Sequence, residues 1–157
     1  MTIPEPAARH FTIDAANRTL PLVRMIVQDI VDLYNDLDRR RDRLVALRSR
    51  RGSTSRSAED PYEAEVIQME SELETDVDQL QGFIDELKKI GAELKDPAIG
   101  LVDFPAMIDG REVCLCWRLG EPAVGFWHEL DAGFSGRRPL PAPDEQSSSS
   151  ADDPGQN

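Results

Sequence analysis

The sequence predicts an α+β fold: a long antiparallel helical hairpin packed at one end on a small antiparallel sheet of about three strands. Three observations predict it. Over 23–44 and 62–90 the apolar residues recur in alternating steps of four and three, the period of helices packed along a common seam. Over 101–129 the period drops to two, with turn residues between the apolar runs. Charge is also segregated: Arg39 to Arg56 holds eight arginines and one acid, net +7, and Glu59 to Glu86 holds eleven acids and no base, net -11. Folding back about 52–59 lays the basic end of one helix beside the acidic start of the other.

The first helix opens at Thr12, whose hydroxyl suits an N-cap, with a short turn before Pro21 starts or kinks a longer segment. Its stripe is Val23, Val27, Ile30, Tyr34, Leu37 and Leu44, with Arg41 in the vacant slot. The second helix is bounded more sharply. Asp60 suits a cap, Pro61 takes the first helical position and Glu63 completes a capping box. Its stripe runs Tyr62, Val66, Met69, Leu73, Leu80, Phe83, Leu87 and Ile90, broken only at Asp76, and Gly91 is a C-cap. Two helices of about 30 residues, roughly 45 Å each, joined by a short connection, imply an antiparallel hairpin.

Ala92 to Lys95 reads as a short strand, followed by a hairpin around Asp109-Gly110, a dipeptide favoured in type I′ turns. A two-residue loop there sets Val102 opposite Trp117, Phe104 opposite Leu115 and Ala106 opposite Val113, all apolar and on one face. The other face then carries Asp103 opposite Cys116 and Pro105 opposite Cys114. A four-residue turn, 120–123, leads to the strand Val124 to Glu129 with Phe126 opposite Trp117. That register buries Val124 and Phe126 and sends His128 toward the helices. A five-residue turn would instead put His128 opposite Cys116.

These elements define a flexible lead over 1–10, one domain over 11–138 (hairpin 12–91, meander 92–138) and an acidic Ser/Pro tail over 139–157 that is too polar to form a core. The net charge of -12 repels phosphate and argues against nucleic-acid binding. No apolar run reaches the roughly 20 residues of a membrane span. Two cysteines and an N-terminus without an apolar signal core point to a reducing, cytoplasmic setting.

The stretch Gly100-Leu-Val-Asp-Phe-Pro-Ala106, then Asp109-Gly-Arg-Glu112, Cys116-Trp-Arg118 with Gly120-Glu121, and Phe126-Trp-His128 with Gly133-Phe134 and Gly136-Arg137, resembles the bacterial family called domain of unknown function 2203. The opening Phe11-Thr12, Ala15-Ala16-Asn17 and Leu20-Pro21-Leu22 is similar to that family's start. The resemblance covers about 11–140 and implies a cytosolic protein; it transfers no mechanism.

Phosphate loops, His-Glu-x-x-His, Cys-x-x-Cys and a nucleophile elbow are all missing from the sequence. Asp103, Cys116 and His128, with Glu129, offer oxygen, sulfur and nitrogen donors from adjacent strands, a mixed set suited to zinc or iron. The competing reading makes His128 a buried imidazole on a carbonyl or carboxylate and the cysteines small strand hydrophobes. Arg118, Trp127 and Arg137 form a candidate anion pocket, with Glu121 or Asp131 as acid or base. Against it, Arg118 stacking on Trp127 and pairing with Asp103 or Glu129 would simply close the sheet surface. Leu33, Leu47 and Val77 lie off the helical stripes and are candidates for packing against a second hairpin, so the partner expected is a second copy or another protein, with no membrane. Whether the chain is an enzyme is not fixed by any of these residues.

Overall fold

A computed structural model of the chain describes residues 10–51 and 61–140. The expected connection at 52–59, the Asp60 cap, the lead over 1–9 and the tail from 141 onward lie outside the described residues. The element order is two helices followed by five short strands, α1 (Ile13–Arg51), α2 (Pro61–Ile90), β1 (Glu93–Asp96), β2 (Leu101–Ile108), β3 (Arg111–Arg118), β4 (Phe126–Glu129) and β5 (Arg138–Pro139), with a single 3-10 turn over Phe134–Gly136.

The opening turn and the longer helix are one continuous element of 39 residues. Thr12 Oγ1 accepts the Ala15 N–H at 2.9 Å, which fixes the start. Pro21 faces solvent while its neighbours Leu20 and Val23 are buried, so the missing N–H removes one hydrogen bond without ending the helix. The helical seam holds. Val23, Val27, Ile30, Leu37 and Leu44 of α1 are buried, as are Val66, Leu73 and Leu87 of α2. The break at Asp76 is filled from the neighbouring column of α1, where Arg40 Nη1 donates to Asp76 Oδ2 at 2.7 Å and to Asp36 Oδ2 at 3.1 Å. Arg48 pairs with Glu70 about two turns further out. The partners' numbers rise on α1 as they fall on α2, the signature of an antiparallel pair.

All five strands form one antiparallel meander in the order β1-β2-β3-β4-β5, two more strands than the sequence pattern marks as clear. The extra strands are edges of four and two residues, too short and too polar to show an alternation. β5 carries the sheet to Pro139, and the Leu140 N–H donates to the Gly125 carbonyl at 2.8 Å, so residues 139 and 140, expected in the tail, belong to the sheet. The β2–β3 register is the expected one, closed by positive φ at Asp109 (53°) and Gly110 (78°). Val102, Phe104, Ala106, Val113, Leu115 and Trp117 are buried with α1 residues Leu20 to Ile30 in the main core. At the junction of sheet and helix, Gly100 has φ +74° and an added Cβ would stand 2.8 Å from Val27 Cγ1, so this position is restricted to glycine.

The β3–β4 register differs from the expected one by a residue. Leu115 pairs with Trp127, Cys116 with Phe126 and Cys114 with His128. The expected pairing used the burial of Val124 as evidence that it belongs to the strand. Val124 is indeed buried, but outside the ladder: Asn17 Oδ1 accepts its N–H at 2.8 Å, tying the loop to α1. The loop is further held by Glu121, whose carbonyl accepts Trp117 Nε1–H at 3.0 Å and whose carboxylate accepts the Arg118 N–H at 2.9 Å.

Candidate metal centre on the outer face of the sheet

The one-residue shift turns His128 away from the helices. Alternation along three paired strands now gathers Asp103 of β2, Cys114 and Cys116 of β3, and Phe126 and His128 of β4 on the outer face. Asp103 and His128 are 2% and 3% exposed, deeper than polar side chains sit without partners. Their hydrogen bonds explain the burial. A His128 ring nitrogen, Nδ1, donates to the Glu129 carbonyl at 2.7 Å, because a carbonyl oxygen can only accept. That fixes a hydrogen on Nδ1 and leaves Nε2 facing both Asp103 carboxylate oxygens at 3.0 Å. A lone pair opposed to a carboxylate is repulsive, so either a proton shared between the two groups or a cation belongs between them.

Cys114 completes the group. A carboxylate oxygen of Asp103, the Cys114 sulfur and a His128 ring nitrogen all lie within 4.8 Å of one another. Burial pushes the Cys114 thiol up to about 11, with the Asp103 charge adding to it and Lys95 opposing. Burial likewise lifts Cys116 to about 12, offset in part by Arg137. Lys95, on β1 beside the cluster, is raised above the usual lysine value chiefly by its hydrogen bond to Glu93. Without a metal, then, both sulfurs are neutral thiols. Their folded pKa values exceed the unfolded value, so the stability they contribute is complete below pH 9 and is lost as pH rises toward 11 and 12. Denaturation midpoints of metal-free protein should fall from pH 8 to pH 11 more steeply than those of the Cys114→Ser/Cys116→Ser variant. Parallel curves would contradict the burial of these thiols.

The other candidates are placed elsewhere. Cys116 shares the face and is fully buried, but the cysteine beside His128 is Cys114. Glu129 stands opposite Val113, on the far side of the sheet from the cluster, and its carboxylate takes Arg111 Nη2 at 2.9 Å; it serves His128 through its carbonyl instead. The anion pocket does not assemble. Trp127 stands opposite Leu115 and packs on the core, with Arg138 over its ring. Arg137 donates to Glu121 Oε1 at 2.8 Å and stacks on Phe126, 3.8 Å from the ring centroid, so the guanidinium is already neutralised and covered. Arg118 is exposed at the end of β3, and Asp131 is exposed beyond β4. Cys114 is the residue the sequence reasoning passed over. Its signal was the two-residue spacing to Cys116, which makes the two interchangeable under a shift of the neighbouring strand. His10, expected in a loose lead, reaches Glu112 at 3.3 Å.

The model of the family described as uncharacterized conserved protein (DUF2203) matches residues 9–140, which include every strand and both helices. The chain belongs to this family. No curated protein and no solved structure matches it. The match to the domain of unknown function 2203 ends at Leu140, the last of the described residues, and brings no assigned activity. Among the described residues no helix is long and apolar enough to cross a membrane.

Proposed function

We propose that this domain binds one transition-metal ion, zinc being the best fit, through Asp103, Cys114 and His128. The carrying observation is the opposition of His128 Nε2 to the Asp103 carboxylate at 3.0 Å while Nδ1 is committed to a backbone carbonyl. An outer hydrogen bond of that kind fixes the tautomer and aims the other nitrogen in metal-bound histidines. Zinc bonds of about 2.0–2.3 Å place tetrahedral ligand atoms roughly 3.3–3.8 Å apart. Adjustments of about 1 Å bring the three donors to that spacing, and thiolate, imidazole and carboxylate together suit a borderline-soft cation. Three protein ligands leave a fourth position for water or an outside ligand. The ion would join β2, β3 and β4 on the outer face and hold Cys114 as thiolate. The hairpin supports a second, separate role as an interaction arm, because its outer half has its own small core (Leu37, Leu44, Val66 and Leu73) without a sheet against it.

Elemental analysis of purified protein, with zinc titration after chelation, tests the metal reading. One equivalent is expected for the wild type and for Cys116→Ser. Cys114→Ser and His128→Ala should each lose it while keeping the helical circular dichroism. Binding that survives both substitutions would refute the site.

A further inference from the structure

Along one flank of the hairpin, a column of α1 lying off its seam stands level with the edge residues of the α2 seam. The α1 column is Leu33, Arg40 and Leu47, seven residues apart, and the α2 residues are Met69, Asp76 and Phe83 at the same spacing. The antiparallel pairing sets Arg40 against Asp76 at 2.7 Å, so Leu33 lies level with Phe83 and Leu47 with Met69. Leu33 and Phe83 line one groove on this flank, Leu47 and Met69 the next, and the two grooves share Asp36. All four apolar side chains are half-buried. The flank is thus apolar, charged and apolar in three layers, and a single polar layer between apolar ones is the device that fixes register when helices associate.

We infer that this flank docks a second copy of the chain, the two hairpins lying parallel around a two-fold axis along their length. The inference rests on reading the hairpin as an interaction arm and is independent of the metal centre. Two features select the occupant. Each layer stacks on its own copy in this arrangement: Leu33 and Phe83 on the same pair, Arg40–Asp76 on the same pair, Leu47 and Met69 on the same pair. Around the outer groove the rims then match in charge, whereas the inner groove is bordered by Asp29, Asp32 and Asp36 of α1. α1 borders the outer groove with Arg39 and Arg43, and α2 borders it with Glu65 and Glu72. A two-fold axis along the hairpin brings α1 of one copy over α2 of the other, so exposed Arg43 meets the second copy's Glu72 at nearly the same level, and symmetry makes the contact twice. Arranging the hairpins antiparallel with the same apolar layers in contact would instead lay the arginine-rich half of α1 near its own copy, around Arg41. Arg43, Glu65 and Glu72 have no ion-pair partner within the chain among the described residues, so the contact does not compete with internal pairs.

Sedimentation of the full chain over a concentration series tests this. The wild type should be a dimer that weakens as salt is raised. Arg43→Glu and Glu72→Arg should each weaken dimerisation about tenfold or more, since every charge reversal acts at two symmetric contacts, and the double variant should regain most of the loss. Both positions are exposed, so each variant should keep the helical far-UV circular dichroism of the wild type. Leu47→Asp probes the apolar layer independently and should also give monomer. A wild type that is monomeric throughout, or a dimer indifferent to Arg43→Glu and to Leu47→Asp, overturns the proposal. Either result leaves zinc content, measured separately, unaffected.

Discussion

Replacing Trp117 with alanine should destabilise the domain by about 3–5 kcal/mol, the range for deleting a large aromatic from a packed core. Trp117 is fully buried at the centre of the inner face, across from Val102 on β2. Its indole N–H also holds the 119–125 loop through the Glu121 carbonyl at 3.0 Å, and Arg24 lies over its ring. Truncation therefore leaves a cavity and releases a loop at once. For a chain of this size each kcal/mol moves the melting temperature by about 2–4 °C, so a drop of about 10 °C or more is expected in a thermal melt followed by circular dichroism. Met107→Ala on β2 is the control. That side chain is 48% exposed, and the change should stay within about 0.5 kcal/mol. A Trp117→Ala melt close to that of Met107→Ala would contradict the packing of the sheet on α1.

The contrast between these two positions shows what the sequence made legible. Alternation is read reliably where both strands of a hairpin are long and a two-residue turn leaves no slack. Asp109-Gly110 imposes positive φ at both central positions, and one slip would have exposed Phe104 and Trp117 together. The helical seam was legible for the same reason, since its repeat extends over many turns. The β3–β4 join had neither support. Its strand is four residues, its loop carries a buried valine of its own, and the bond that ties this loop to α1, Val124 N–H to Asn17 Oδ1, joins residues 107 positions apart. No local pattern contains that bond. The site inherited the error in a definite way: Asp103 was fixed by the well-determined β2–β3 pair, while the identity of its cysteine and the side occupied by His128 depended on the undetermined one. Glu129 and Trp127 changed role with them. Arg137 was legible as a polar residue beside aromatics, but its partner Glu121 was assigned a catalytic part because the loop geometry that brings the two together was not in view.

Asp103→Ala should cost the metal-free protein about 3 kcal/mol, because removing one member of a buried charged or hydrogen-bonded pair leaves the other without compensation. His128, 3% exposed in the wild type, would stay largely buried with Nδ1 bonded to the Glu129 carbonyl and Nε2 facing a methyl group. Asp103→Asn should cost much less. The amide keeps the volume and donates a hydrogen bond to Nε2, so the fold survives, whereas the neutral oxygen is a poor partner for a cation and zinc binding should disappear. The pair of substitutions separates the structural role of the carboxylate from its proposed ligand role. Asp103→Ala/His128→Ala should cost less than the sum of its single variants, the excess measuring how strongly the two side chains depend on one another. Urea denaturation with chelator and again with zinc provides all four comparisons. Zinc should raise the midpoint of the wild type and leave Asp103→Asn unmoved. An Asp103→Asn protein that zinc still stabilises to the wild-type extent would remove the carboxylate from the site, and with it the reason a cation is called for between Nε2 and Asp103.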